Sequence, residues 1–204
     1  ACWLLANEAN PGRVARAYTI EPPRPPRDRV PAGQSFTFGL TLYGDGLAFL
    51  PYFILAAAEA GRVGVGPGRR DGLGRFRLEA VTSHNPFTGD TRALLAPGDP
   101  VVRANPAVVV FDHARALADR LAHELAVGDN TLRLRFLSPM RLEEKEQLFK
   151  TPDFAVFFRR LLYRIDDLAL NFCGGERRAA AERQQLIAAA EQVRLVEAQT
   201  RWIE

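Results

Sequence analysis

The sequence predicts an α+β fold, and three observations predict it. Segments with an apolar residue at every second position alternate with segments whose apolar residues recur at helical spacing. Glycine, proline and Asn/Asp clusters separate them, as turns would. The order strand, helix, loop, strand runs once between residues 35 and 81, and a second round of the same plan starts at residue 131.

Residues 17–21 form a short strand candidate that ends in Glu21-Pro22-Pro23-Arg24-Pro25-Pro26. Proline has no N–H to donate to a ladder, so this run reads as a connector and not as part of a central strand. Residues 35–43 (SFTFGLTLY) set Phe36, Phe38, Leu40 and Leu42 against Thr37, Gly39 and Thr41, the pattern of a strand with one buried face. Gly44-Asp45-Gly46 breaks it. Residues 47–61 (LAFLPYFILAAAEAG) predict a helix that is apolar nearly all round and suited to packing on a sheet. Its Pro51 is tolerable only near the first turn, and Gly61 marks its end. Residues 64–74 are glycine-rich, and 75–81 (RFRLEAV) alternate again, with Phe76, Leu78 and Ala80 opposite Arg75, Arg77 and Glu79.

From 83 to 106 the turn formers Asn85-Pro86, Thr88-Gly89-Asp90 and Pro97-Gly98-Asp99-Pro100 predict a long irregular excursion with one short strand at 92–95. The domain boundary is set after it, so the regions are 1–100, a connecting strand and helix in 101–130, and 131–204. In the connector, 108–111 is a strand candidate, and 114–126 carries Leu117, Leu121 and Leu125 along one side of a helix that Gly128-Asp129-Asn130 ends. The second round opens with 131–137 (TLRLRFL), stopped by Ser138-Pro139. Thr151-Pro152-Asp153 starts a long helix through Phe172, with Phe154, Phe157, Phe158, Leu161, Leu162, Ile165, Leu168 and Ala169 at the apolar positions. Gly174-Gly175 closes it, a helix over 176–190 follows, and 192–204 reads as a final kinked strand carrying Val193, Leu195 and Ile203.

Composition bounds the function. The 204 residues are 47% apolar and 25% charged, which describes a globular protein and not a disordered one. Cys2 and Cys173 lie far apart with no C-x-x-C pair, so neither a zinc site nor a disulfide framework is indicated, and a reducing, cytoplasmic setting is expected. The apolar stretch 47–60 contains Pro51 and Glu59 and is shorter than a bilayer requires, and the N-terminus lacks a signal-peptide layout. A soluble protein without a membrane partner is expected. The chain opens on Ala1 and its only methionine is Met140, which reads as a processed or trimmed product. Net charge is +3, enough to permit an anionic partner. Lysine occurs only at Lys145 and Lys150, so the remaining 25 of the 27 basic residues are arginine, whose planar fork suits phosphates and base edges. A GC-rich genome would enrich arginine, alanine, glycine and proline in the same way.

The segment 61–77 concentrates that charge. Arg62, Arg69, Arg70, Arg75 and Arg77 stand against Asp71 alone, five minus one, or +4. Gly64, Gly66, Gly68, Gly72 and Gly74 leave backbone N–H groups accessible, and with the arginine forks they suit an RNA backbone and its bases. The same composition also describes a solvated helix-to-strand connector. It fits no nucleotide-binding fingerprint: G-x-G-x-x-G from Gly64 needs glycine where Arg69 stands, and no G-K-[ST] occurs.

Three histidines could carry acid–base chemistry. His84 falls in a turn beside Ser83 and Asn85, while His113 and His123 flank or sit on the 114–126 helix, and each is also readable as a surface or capping residue. His123-Glu124 begins a zincin pattern, but H-E-x-x-H needs histidine where Val127 stands. No G-x-S-x-G element is present. Asp166 and Asp167 point about 100° apart on a helix and cannot converge on one ion; they are expected on a wet face near Arg164. Arg159-Arg160 either touch RNA or solvate their helix, and Phe154, Phe157 and Phe158 read as core.

Two blocks carry a family resemblance: 38–81, with FGLTLYGDGLAFLPYFILAAAEAGRVGVG and then GLGRFRLEAV, and 132–175, with LRLRFLSPMRL, PDFAVFFRRLLYRIDDLA and a closing Gly-Gly. In order and spacing they resemble the CRISPR-associated, repeat-processing endoribonucleases of the Cas-six type, in the RAMP superfamily. The resemblance implies two ferredoxin-like (RRM-like) units in tandem, both incomplete, with family elements before Ala1 and after Glu204. It implies metal-independent cleavage of CRISPR precursor RNA within its repeats, the 2'-hydroxyl attacking the adjacent phosphate with acid–base assistance. The expected partners are CRISPR repeat RNA and subunits of a CRISPR effector complex, and no cofactor is expected. The RNA-contacting set is Gly64, Gly66, Gly68, Arg69, Arg70, Gly72, Gly74, Arg75 and Arg77. The family's catalytic histidine often lies in an early helix ahead of this chain, so no catalytic residue is assigned. A non-catalytic RNA-binding or scaffold subunit on the same plan is the alternative.

Overall fold

In the computed structural model, residues 16–23, 29–136, 140–144 and 147–200 are described. Cys2, the later part of the proline run, Leu137 with the Ser138-Pro139 stop, and 201–204 of the expected last strand lie outside the described residues. The fold is α+β. Its elements are β1 (Tyr18–Glu21), β2 (Gly39–Leu42), a 3-10 stretch Gly44–Phe49 leading into α1 (Leu50–Val63), β3 (Val81–His84), β4 (Thr91–Leu95), α2 (Phe111–Val127), β5 (Glu143–Glu144), β6 (Gln147–Leu148), α3 (Phe154–Phe172) and α4 (Ala180–Glu191). The strands pair consecutively into three two-stranded antiparallel sheets. Two compact units contain them. One comprises Ala48–Leu134, and the other joins the residues up to Leu47 to those from Arg135 onward.

In the unit that joins both ends of the chain, β1 pairs with β2 from Tyr18↔Leu42 to Glu21↔Gly39. Only four of the nine residues expected in β2 therefore form a ladder. Continuing that register would set 35–38 against 22–25, where Pro22, Pro23 and Pro25 have no N–H to give. Gly44 lies against the end of α3, where a Cβ would come 1.7 Å from the Phe172 carbonyl oxygen. Arg164 Nη2 donates to the Arg16 carbonyl at 3.3 Å, so residues far apart in sequence are stitched together.

α3 begins where the sequence places it, because Asp153 Oδ1 accepts from the Val156 N–H at 2.9 Å and satisfies an otherwise orphaned donor. Val156, Leu162, Asp166 and Phe172 are buried, and α4 packs on the same helix with Ala190 buried. Asp166 thus departs from the expected wet face. It is 5% exposed and meets Arg178 at 3.3 Å and Arg183 at 3.7 Å, while the neighbouring Asp167 pairs at the surface with Arg177 at 3.0 Å. A carboxylate with two guanidinium partners from the α4 side can be buried; a lone one cannot. The helix expected over 176–190 starts four residues later, and 192–200 form no ladder.

In the Ala48–Leu134 unit, Pro51 sits in the first turn of α1 as expected. Gly61 does not end the helix. It is buried inside it, where the Phe76 backbone closes in and a Cβ would come 2.3 Å from the Phe76 oxygen; Gly64 makes the end instead. With the 3-10 turns ahead of it, the apolar helical stretch Gly44–Val63 reaches 20 residues, long and apolar enough by length and composition to cross a membrane. Tyr52, Leu55 and Val63 on it are exposed.

The strand expected over 75–81 is displaced to β3. A β3–β4 ladder carried back past Val81↔Leu95 would reach Pro97 within two residues, and 75–80 join no ladder. The short strand expected at 92–95 is present as β4, which turns the excursion into a hairpin. No strand forms at 108–111, because α2 begins at Phe111, and none forms at 131–136, although Leu132, Leu134 and Phe136 alternate there.

Candidate nucleic-acid interface

The glycine–arginine segment leaves the end of α1 and returns beside it, closed by its own backbone. The Val65 N–H donates to the Gly74 carbonyl at 3.0 Å, and the Phe76 N–H to the Gly61 carbonyl at 3.0 Å. Between these rungs Pro67–Asp71 makes a 3-10 turn, and the Leu73 N–H reaches the Gly68 carbonyl at 3.1 Å. Gly74 has φ +70 and sits so close that a Cβ would lie 1.9 Å from the Val65 oxygen. Only glycine allows that rung to close. The amides of Gly64 and Gly72 are used within this structure, donating to Ala60 and Arg69 carbonyls, whereas those of Gly66 and Gly74 make no backbone hydrogen bond among the described residues.

The five arginines fall into two groups. Arg62 pairs with Glu59 at 2.6 Å and Arg77 with Glu79 at 3.4 Å, so the feet of the loop are neutralised. The Arg62 hydrogen bond holds the Glu59 carboxyl below its ordinary range, and Glu59 in turn raises the arginine. Arg69, Arg70 and Arg75 are exposed, and their guanidinium groups make no hydrogen bond or ion pair among the described residues. With Asp71 the tip therefore carries three minus one, or +2. Val65 and Leu73 are exposed beside these arginines, adding apolar surface to a charged rim.

Of the histidines, His84 lies on β3 opposite Thr91, in a strand and not in the expected turn, and it is exposed, as is His123 on α2. His113 caps α2. Its Nδ1 accepts from the Val110 N–H at 3.3 Å and from Asn85 Nδ2 at 3.0 Å. The direction at Asn85 is fixed because its Oδ1 already accepts from the Phe87 and Thr88 N–H groups at 3.0 and 3.3 Å. Neutral His113 therefore carries its proton on Nε2. Sequence reasoning placed Asn85 only in a turn; its burial and its link to a residue 28 positions on had no local signal. Among the described residues no three His, Cys, Asp or Glu side chains come together as a metal ion requires.

Arg159 and Arg160 are neither free nor idle. Arg159 binds Glu144, and Glu191 at 3.5 Å, while Arg160 Nε donates to the Glu143 carbonyl at 3.0 Å. Both tie β5 to α3. Phe154, Phe157 and Phe158 on that helix are half-buried, with Phe154 stacked on Phe158 at 5.8 Å and Phe157 edge-on to Phe136 at 5.5 Å.

No curated protein and no solved structure matches the chain. A family model, AF_1859_N, described as an N-terminal domain, matches residues 5–107, a span that holds β1 to β4, α1 and the glycine–arginine loop. That span is half of the 204 residues, and the chain belongs to the AF_1859_N family.

Proposed function

We propose that this chain is part of an endoribonuclease that processes CRISPR precursor RNA by metal-independent cleavage within the repeats, and that the glycine–arginine loop is one of its RNA contacts. The observation that carries the RNA contact is the loop tip: Arg69, Arg70 and Arg75 are exposed and unpartnered on a turn held by its own backbone rungs. A fixed turn presents guanidinium groups without first being ordered, which favours binding to an extended anion. The cleavage reading and the two incomplete ferredoxin-like units rest on the resemblance of blocks 38–81 and 132–175, and so do partner subunits of an effector complex, while a cytoplasmic setting rests on the cysteine usage.

Replacing Arg69, Arg70 and Arg75 together with alanine tests the contact. Affinity for a single-stranded repeat RNA is expected to fall, and the slope of log K against log salt to flatten by roughly 2, about 0.7 per lost phosphate contact. Unchanged affinity and slope would sink it. For cleavage, a repeat RNA with a 2'-deoxy substitution at the cut site should resist the parent protein, and cutting of that substrate would refute the mechanism. The alternative is an RNA-binding subunit without cleavage. Tight repeat binding by the full-length parent with no single-turnover cleavage would select that reading.

A further inference from the structure

A second candidate site is the groove between the β5 strand and α3, within the unit that joins both ends of the chain. Met140, Arg141, Leu142, Glu143, Phe157, Arg160 and Leu161 line a depression of about 510 Å³, within the range of small-ligand sites. Phe157, Arg160 and Leu161 come from successive turns of one helix face. Across from them, Leu142 is buried as a floor while Met140 and Leu161 are 40% and 42% exposed at the rim. The groove therefore offers a phenyl ring, a thioether and an isobutyl group to whatever enters it.

Its polar groups are set in place. Arg160 is held by two hydrogen bonds, from Nε and Nη2, that converge on the Glu143 carbonyl oxygen, orient the guanidinium plane and leave Nη1 with no partner among the described residues. Arg141 is exposed and pairs with the Glu143 carboxylate at 3.0 Å, so the lining carries two positive charges and one negative. A ligand that complements it is flat and apolar on one side and anionic on the other. A neutral peptide satisfies only the first condition, and a free phosphate only the second.

We infer that this groove holds one nucleotide of a bound RNA strand, the base against Met140, Phe157 and Leu161 and the phosphate at Arg160 Nη1. The inference rests on the RNA reading above and extends it to a site that the glycine–arginine loop does not include. Stacking by aromatic and apolar side chains tolerates every base, so the groove contributes affinity without selecting sequence.

The test places opposite charges at Met140, which is exposed enough to accept both. In the full 204-residue chain, Met140→Glu is expected to weaken binding of a fluorescein-labelled single-stranded RNA about tenfold in anisotropy. Met140→Lys should bind as tightly as the unsubstituted chain or more so. RNA carrying 4-thiouridine should photo-crosslink to the peptide spanning 140–161. If both variants bind like the unsubstituted chain and crosslinks fall only within 62–77, the groove is overturned and the loop reading stands. If the unsubstituted chain binds no RNA, both are overturned.

Discussion

Asn85 stands at the turn between β3 and β4 with its whole amide committed. Oδ1 accepts from two backbone N–H groups, and Nδ2 donates to the Val108 carbonyl at 3.0 Å and to His113. Asn85→Ala removes the turn bridge, the tie to 108 and a support of the α2 cap together. The expected loss is about 3 kcal/mol, read from urea denaturation. At Asp99 the Val101 N–H, and after it Arg103, hold the carboxyl below its ordinary value. The sign follows: this stabilisation is complete above the ordinary carboxylate range and is lost as pH falls through the lowered value. Carbon-detected NMR titration should find Asp99 protonating later on acidification than a model aspartate, and Asp99→Asn should remove that share of the acid dependence. At this scale the sequence was legible for what acts locally. Asn85-Pro86 announced a turn and Asp153 a helix start, but nothing near Asn85 announced His113, and nothing near Asp166 announced two arginines from beyond the end of its helix.

The elements divide by how far their partners lie. α1 and α3 were readable because their hydrogen bonds close within a few residues, and periodicity reports such closure directly. Strands need an opposite strand, and apolar alternation at 35–38 and 75–80 says nothing of the prolines across the ladder. The loop depends on one rung at Gly74, where a methyl group would strike the Val65 carbonyl in a backbone region that alanine disfavours. Gly74→Ala should cost about 2 kcal/mol in thermal denaturation and lower RNA affinity although every arginine remains. The α3–α4 pair depends on Asp166, whose contacts to Arg178 and Arg183 are charge pairs and not aligned hydrogen bonds: Oδ2, Arg178 Nη1 and Arg183 Nε lack hydrogen-bond partners among the described residues. Asp166→Asn leaves Arg183 without a countercharge and Arg178 with Glu182 alone, at 3.2 Å. The expected loss is about 3 kcal/mol, with α4 amides exchanging faster than those of α3.

Across the molecule, the α+β class was legible, and the two-unit division was not, because a unit assembled from both ends of a chain leaves no local mark. Segments 77–80 and 132–136 keep the alternation of strands but no ladder, so their amides should exchange at near-unprotected rates while those inside α3 are retained, a contrast hydrogen–deuterium mass spectrometry resolves. The contact of Gly44 with the Phe172 carbonyl, together with Arg164 reaching Arg16, carries one more consequence, for synthesis. On a ribosome, β1 and β2 emerge long before the helix that receives them, and at common elongation rates that delay is on the order of ten seconds. The continuous Ala48–Leu134 stretch is translated entirely within it. The nascent hairpin therefore waits, exposed, while the inserted stretch has time to fold first.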